Sequence, residues 1–214
     1  MAVQVDLRVL ELMASKICHD LISPVGAIGN GLELLEDDGG GDTAKEALQL
    51  SQNCVRRASA LLELFRMSYG TAGSDTGLAW DAAKALAGGF LAGTKMTLNW
   101  PVLPAGTVLP PGANKLLLNM VVLAGDLLPR GGTIAVGVAP GPRGQVLRVT
   151  ASGQDARISE DLAGVLKGAV AITSLSAKTV HGYFSQKIAE SMGSRIDAAP
   201  GAPGSMMLTA QLPA

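Results

Sequence analysis

The side chain with the clearest chemical potential is the imidazole of His19, which can act as a nucleophile or exchange a proton near neutral pH. A helix turns by about 100° per residue, and by that rule His19 points roughly 160° to 180° away from an apolar stripe. That stripe contains Leu10, Ile17, Leu21, Ile28 and Leu35. The spacing therefore predicts an imidazole that projects towards solvent, opposite to the buried face of its helix.

The helix face around His19 combines polar, small and apolar side chains. It carries Leu12, Ser15, Lys16, Ile22, Ser23, Gly26 and Asn30. An exposed histidine on a helix is usually an ordinary surface residue, but Leu12 and Ile22 would leave apolar surface beside it, which is typical of a surface that a partner covers. Pro24 also disfavours a regular helix here, by about 3 kcal/mol. We therefore interpret this face as a docking patch.

Two other kinds of site are disfavoured. Cys18 and His19 are adjacent in a helix, so their side chains point about 100° apart, which argues against a cysteine nucleophile with a histidine base. The chain has two cysteines and two histidines, too few and too scattered for a metal cluster or a disulfide framework. We expect no metal site, and we interpret Cys18 and Cys54 as small core or near-core residues.

The histidine lies in the first of two long helices that the periodicity predicts. Apolar residues recur at steps of three and four over residues 10–35 and again over residues 47–65. The glycine-rich run at 36–41 separates these helices, and Thr43 with Glu46 is predicted to start the second as a capping box. Because a hairpin alone cannot bury its apolar stripe, either a second copy of the chain or the C-terminal part must cover it.

The C-terminal part, after a linker at residues 70–75, alternates helix and strand patterns. Helices are predicted at residues 78–91, 111–128, 159–166 and 179–192, and strands at 95–100, 133–139, 146–151, 195–198 and 206–212. Helices beside a mixed sheet form a two-layer α/β sandwich. The predicted fold class is therefore α+β, with a hairpin domain at residues 1–70 and a sandwich domain at residues 75–214.

The composition excludes several classes of protein. The 214 residues are 48% hydrophobic with a formal net charge of −1, which argues against disorder and against a polybasic nucleic-acid binder. Aromatic residues make up 3%, too few for platforms that stack single-stranded bases. The apolar run at 116–128 is too short and too polar to cross a bilayer, and the N-terminus lacks a signal-peptide pattern. We expect a cytoplasmic protein that binds neither membrane nor nucleic acid.

The segment around His19 carries a motif with a known counterpart. Residues 18–25 read CHDLISPV, which resembles the phosphoacceptor box of histidine kinases: a histidine followed by an acid, a hydroxyl residue and a proline. The family usually has a basic residue at the position of Ile22. A helical hairpin with this box is similar to the kinase dimerisation domain, which pairs into a four-helix bundle. The resemblance therefore implies a homodimer.

The C-terminal part resembles the ATP-binding domain of these kinases but departs from it where the nucleotide is bound. Asn119 matches the first asparagine of the N box, whereas Leu123 stands at the second, which ligates Mg²⁺. A leucine cannot coordinate a hard cation. Ala151 stands at the aspartate that reads adenine, and the last glycine-rich box is reduced to a short run from His181. This combination resembles the ChpT family of bacterial histidine phosphotransferases over essentially the whole chain, and it implies that the chain binds no ATP or other cofactor.

The resemblance implies a phosphorelay centred on His19. His19 would accept a phosphoryl group from the receiver-domain aspartate of a hybrid histidine kinase and pass it to the receiver aspartate of a response regulator. Asp20 would hydrogen-bond the imidazole and Lys16 would neutralise phosphoryl oxygens, although a solvated surface lysine is an equal alternative. The Mg²⁺ would be bound by the partner receiver. Receiver docking would use Leu12, Ser15, Ile22, Ser23, Gly26 and Asn30.

Two alternatives to this interpretation stay open. One is an active ATP-dependent histidine kinase with divergent boxes, which labelling from ATP would reveal. The other is a non-catalytic dimeric signalling scaffold, which an intact relay without His19 would support. A hydrolase has no support from a catalytic triad or a metal site. For Ser23, a helix residue that bonds back to a carbonyl is preferred over a phosphatase residue.

Overall fold

The computed structural model describes residues 6–37, 41–72 and 77–213, so parts of the predicted helix junction and of the predicted linker lie outside the described residues. Helix α1 spans Leu7–Asp37 and α2 spans Asp42–Ser68, and the two pack against each other as a hairpin. Both long helices were predicted. The predicted capping box was wrong, because α2 begins at Asp42 with Gly41 as its N-cap and no side chain caps it.

The C-terminal part, which we call the sandwich, contains helices packed on a five-stranded sheet. Its helices are α3 (Trp80–Leu91), α4 (Ala113–Asp126), α5 (Glu160–Leu166), the short 3-10 helix Ile172–Ser174 and α6 (Val180–Ser191). Its strands are β1 (Met96–Asn99), β2 (Gly132–Gly141), β3 (Gly144–Ser152), β4 (Ile196–Pro200) and β5 (Ser205–Gln211). The strand order is β1-β2-β3-β5-β4, with β1 parallel to β2 and the other pairs antiparallel. The predicted mixed sheet is confirmed.

Helix α4 is the centre of the sandwich. Every residue from Ala113 to Ala124 except Asn114 is buried, and the helix packs against β3, α6, α2 and α3. A helix that is apolar around its whole circumference must be enclosed on all sides. The apolar run that is too short for a membrane span therefore forms a core helix.

The end of the hairpin that is formed by the start of α1 and the end of α2 packs into the sandwich. Leu61, Leu64 and Phe65, near the end of α2, belong to the same hydrophobic core as the sheet. At the start of α1, Val9 and Met13 form a second core with Val165, Leu175 and Val180 of the sandwich. Because both chain ends of the hairpin are held in this way, the middle of α1 lies at the border between hairpin and sandwich.

The hairpin buries a narrower face than the periodicity predicted. Leu10 and Leu32 on α1 are 55% and 51% exposed, and Cys18, predicted near the core, is exposed. The two helices approach each other through small residues instead: a Cβ added at Gly31 would collide with the side chain of Ser51. A single hairpin can bury only the face between its own helices, so the rest of each apolar stripe stays open.

Candidate functional site

His19 lies at the border between the hairpin and the sandwich, and its side chain is 89% exposed. An open cleft flanks it on each side, with volumes of about 1170 and 760 Å³. Lys16, His19 and Asp20 line both clefts from the hairpin, and Asp126 at the end of α4 lines both from the sandwich. A partner that reaches His19 therefore meets both parts of the chain.

The carboxylate of Asp20 contacts two neighbouring groups on α1. Its Oδ1 lies 3.2 Å from Nδ1 of His19, and its Oδ2 lies 3.3 Å from Nζ of Lys16. Because an ionised carboxylate only accepts hydrogen bonds, Nδ1 of His19 is the donor in this contact. The lone pair of the neutral ring is then on Nε2, which makes this exposed imidazole suited to nucleophilic attack.

Arg57 on α2 lines the larger cleft and connects α2 to the sandwich. Its Nη1 donates a hydrogen bond to the carbonyl oxygen of Phe90, and its guanidinium lies 5.4 Å from the centre of the Phe90 ring. Burial lowers the pKa of the Arg57 guanidinium, and the negative charge of Asp20 acts in the opposite direction. The cleft beside His19 thus has a cationic group on α2 as well as Lys16 on α1.

Asp126 adds a second carboxyl group to the site. Part of the residue reaches solvent, but desolvation by the surrounding cleft raises the pKa of the Asp126 carboxyl to about 6. The positive charge of Lys16 lowers this pKa and the negative charge of Asp20 raises it further. These three groups therefore interact electrostatically across the border between hairpin and sandwich.

The predicted docking residues are distributed around this cluster. Ile22, Ser23, Gly26 and Asn30 are exposed on α1, and Ser15 lines the smaller cleft. Ile22 is 70% exposed and supplies apolar surface of the kind predicted beside the imidazole.

Leu12 is placed differently from the other predicted docking residues. It is half-buried against the small core that joins α1 to the sandwich. The sandwich covers much of its side chain, because the start of α1 packs on Val165 and Leu175. Leu12 thus offers a partner less apolar surface than its position on the helix indicates.

The residues aligned with nucleotide-binding boxes lie in the core. Asn119 has no exposed surface, its Nδ2 donates to the carbonyl oxygen of Ser68 over 3.0 Å, and its Oδ1 lies 3.1 Å from Nε2 of His181. Leu123 and Ala151 are 1% and 0% exposed and belong to the hydrophobic core. The chain's own side chains thus occupy this region and use its polar groups.

The part of the chain that the structure describes contains neither a cluster of metal ligands nor a membrane-spanning helix. There, no group of three or more His, Cys, Asp or Glu side chains is placed to hold a metal ion. Nor does any of the described helices combine the length and the apolar character that crossing a membrane requires.

Sequence reasoning missed several charged residues that line these clefts, among them Arg57 and Asp126. Both reach the clefts from elements far from α1 in the sequence, and Arg57 has no local feature that marks it. Asp126 did leave one signal, because it interrupts the apolar run at 116–128, where an acid is expected at a surface rather than in a core.

The chain is similar to known proteins over both the hairpin and the sandwich. Residues 80–203 match the family described as "Histidine phosphotransferase C-terminal domain". The "Protein phosphotransferase ChpT" of Brucella abortus (strain 2308) is 36% identical over 204 residues, which cover 92% of this chain and 93% of that protein. A solved structure described as "1.7 Angstrom Structure of a Bacterial Phosphotransferase" has a TM-score of 0.80 and 32% identity, and it covers 98% of both chains. The likeness includes the hairpin.

Proposed function

The chain belongs to the ChpT family of histidine phosphotransferases and acts in a phosphorelay, and from this premise we propose that His19 carries the phosphoryl group. The observation that carries the proposal is the imidazole itself, which is 89% exposed with Nδ1 bonded to Asp20 and Nε2 open. His181 is the chain's second histidine. It has no exposed surface, and burial with the charge of Lys16 lowers its pKa to about 3. Of the two histidines, His19 alone is accessible to a partner.

The proposed transfer moves a phosphoryl group from an acyl phosphate to an imidazole. The lone pair on Nε2 of His19 attacks the phosphorus of a phospho-aspartate on a receiver domain. The N–P bond forms as the P–O bond breaks, and the aspartate leaves as a carboxylate. The proton on Nδ1 stays in its hydrogen bond to Asp20, which stabilises the positive charge of the ring. Attack by the aspartate of a second receiver reverses these steps.

Charge neutralisation by the chain supports this transfer. Phosphoryl transfer depends mostly on positioning and on offsetting the charge of the phosphoryl oxygens. Lys16 and Arg57 both line the larger cleft beside His19 and are the groups that we assign to this role. Mg²⁺ is expected on the partner receiver, where it supplies further positive charge.

We also propose that this chain takes no phosphoryl group from ATP and holds no cofactor. Leu123 offers no oxygen ligand for Mg²⁺, and Ala151 offers no acceptor for an adenine amino group. The amide of Asn119 is already bonded to Ser68 and His181 within the core. The donor set therefore does not fit a bound nucleotide.

The proposed partners are receiver domains of a hybrid histidine kinase and of response regulators. Such a domain would contact Ile22, Ser23, Gly26 and Asn30 on α1 and reach across the clefts towards Asp126. The exposed apolar surface of Ile22 beside the charged groups supports a protein partner. No nucleic acid or membrane is part of this proposal.

A second copy of the chain is the partner that we propose for the open face of the hairpin. Leu48, Val55 and Leu62 follow one another at heptad spacing on α2 and are 48%, 48% and 53% exposed. Val25 and Leu32 repeat this spacing on α1 and are 55% and 51% exposed. Apolar residues at this spacing are typical of helix bundles. Two hairpins would bury them in a four-helix bundle.

We propose that the protein works in the cytoplasm. Cys18 and Cys54 are free thiols, which fits a reducing compartment such as the cytoplasm. The division into residues 1–70 and 75–214 stays a prediction.

The test is a phosphotransfer assay with wild type and His19→Gln. We expect label from a phosphorylated receiver on the wild-type chain only, and none from ATP with Mg²⁺. Equal labelling of His19→Gln would assign the acceptor elsewhere, and labelling from ATP would identify a kinase. If a panel of phosphorylated receivers gives no label, a non-catalytic scaffold is the better assignment.

A further inference from the structure

A buried chain of hydrogen bonds crosses from the end of α2 into the sandwich. Asn119 on α4 donates from Nδ2 to the carbonyl oxygens of Ser68 on α2 (3.0 Å) and Lys115 on α4 (2.9 Å). Its Oδ1 lies 3.1 Å from Nε2 of His181 on α6, and Oγ of Ser185 lies 3.3 Å from the same nitrogen. Asn119, His181 and Ser185 have no exposed surface.

The acceptors around Asn119 determine the direction of its hydrogen bonds. Two carbonyl acceptors require the NH₂ end of the Asn119 amide to face Ser68 and Lys115. Its oxygen therefore faces His181, whose Nε2 must carry the ring proton. Burial lowers the pKa of His181 to about 3, so the ring is neutral and has one proton to donate. The amide and the imidazole thus form one ordered unit rather than two interchangeable contacts.

The same end of α2 is held by further contacts from the sandwich. Nζ of Lys115 donates to the carbonyl oxygen of Gly70 over 2.8 Å. The ring of Tyr69 lies 5.4 Å from the His181 ring and 5.7 Å, edge to face, from the Phe184 ring. The last carbonyls of a helix need donors from outside the helix. Here side chains of α4 supply donors at residues 68 and 70, where the hairpin joins the sandwich.

We propose that Asn119 and His181 are positioning residues that lock the end of α2 to the sandwich and thereby set the width of the clefts beside His19. The receiver-docking part of this inference rests on the proposed function, whereas the lock itself does not. Neither residue touches the phosphoryl group. Both act through the relative placement of the hairpin and the sandwich.

The geometry of the hairpin explains why a lock at this point matters. Helix α2 has 27 residues, and a helix of that length is about 40 Å long. A small rotation at its end therefore moves its far half by several ångströms. The larger cleft has Lys16 and Arg57 on the hairpin wall and Asp126 on the sandwich wall. A partner that spans both walls binds more tightly when their separation is fixed in advance, because less freedom is lost on docking.

The test compares a lock-deficient variant with a matched control. Asn119→Leu combined with His181→Phe removes both partners together, so no buried polar group of that pair is left without its bond. Ser185→Ala is the control, because Ser185 belongs to the same buried cluster but bonds there to His181 and not to α2. Spin labels at Gln52 on α2 and Arg143 in the β2–β3 turn, in a Cys18→Ser/Cys54→Ser background, report the intrachain distance. Excess unlabelled chain suppresses distances between copies.

We expect a narrow distance distribution in wild type and in Ser185→Ala, and a clearly broader one in the double variant. The receiver concentration that gives half-maximal phosphotransfer is expected to rise about tenfold in the double variant, with a much smaller change in the maximal rate. A folded double variant with a narrow distribution would overturn the lock. A broad distribution with unchanged half-maximal concentration would overturn its role in docking.

Two other outcomes also bear on the lock. If the double variant does not fold, Asn119→Ala replaces it, because it removes the donor to Ser68 while Nε2 of His181 keeps Oγ of Ser185 as a neighbour. A distribution as narrow as that of wild type would then contradict the lock. If wild type accepts no phosphoryl group from any receiver, the proposed function fails, while the distance measurement still tests the lock.

Discussion

Nδ1 of His19 lies 3.2 Å from Oδ1 of Asp20, the next residue in the chain. Adjacent residues of a helix point about 100° apart, so the imidazole must lean along the helix surface to make this contact. The ring is therefore oriented by its own helix, and its tautomer does not depend on any other element. Its second nitrogen stays open to a partner.

Removal of the Asp20 carboxylate is expected to slow phosphotransfer. Asp20→Ala loses the acceptor for Nδ1, so the rate of transfer from a phosphorylated receiver is expected to fall by about 10- to 100-fold. Asp20→Asn retains an acceptor oxygen without the charge and is expected to lie between Asp20→Ala and wild type. Single-turnover kinetics measure the rates, and ¹⁵N NMR of the imidazole reports the tautomer. A wild-type rate in Asp20→Ala would contradict this role.

Lys16 is expected to stabilise the phosphorylated state. Lys16→Met removes a positive charge beside the phosphoryl oxygens, and the equilibrium ratio of phosphorylated chain to phosphorylated receiver is expected to fall about tenfold. Lys16→Arg should restore most of the ratio. Lys45→Met is the matched control, because it breaks an exposed ion pair with Asp42 away from the clefts. Equal effects of Lys16→Met and Lys45→Met would exclude a specific role for Lys16.

The open face of the hairpin is expected to hold the dimer together. Val55→Asp places a charge in the proposed interface, and the dissociation constant of the dimer is expected to rise about 100-fold or more. Val108→Asp is the control, since Val108 is 80% exposed on the loop before α4. Sedimentation velocity over a concentration series measures both variants. A monomeric wild type, or a Val55→Asp chain as dimeric as wild type, would rule out this interface.

Acid is expected to weaken the fold through His181. Burial and the charge of Lys16 lower the pKa of His181 from 6.5 to about 3. The stability that the neutral ring supplies is full above pH 6.5 and is lost as the pH falls towards 3, because the unfolded chain binds the proton first. Between pH 7.5 and pH 5, His181 is expected to remove about 2 kcal/mol from the free energy of unfolding.

His181→Gln measures this contribution, because glutamine does not titrate. Urea unfolding at pH 7.5 and pH 5 is expected to show a loss about 2 kcal/mol smaller in the variant than in wild type. The change in the free energy of unfolding between the two pH values is taken within each protein. Any effect of the substitution that does not depend on pH therefore cancels. Equal losses in the two proteins would show that folding does not lower the pKa of His181, because the folded and unfolded chains would then bind the proton equally well.

The helices and strands followed from local patterns to within a few residues, because an element's own periodicity determines which residues can share a face. The extent to which each apolar face is buried did not follow from these local patterns. Leu10 and Leu32 both fit the apolar periodicity predicted over residues 10–35, yet both are more than half exposed. Periodicity identifies an apolar face, whereas its coverage depends on which other surface packs there. At Gly31, α1 approaches Ser51 of α2 closely, whereas the neighbouring Leu32 stays open.

His19 projects from its helix beside Lys16 and Asp20, and this follows from local spacing alone, because the three groups lie within one turn of each other. The chemistry of Leu123 is likewise independent of the fold, since a leucine side chain supplies no oxygen ligand. Tertiary packing, in contrast, brings Asp126 to the same clefts as His19 and joins Asn119 to Ser68, 51 positions away. Contacts of this range arise from the packing of whole elements, which no local spacing encodes.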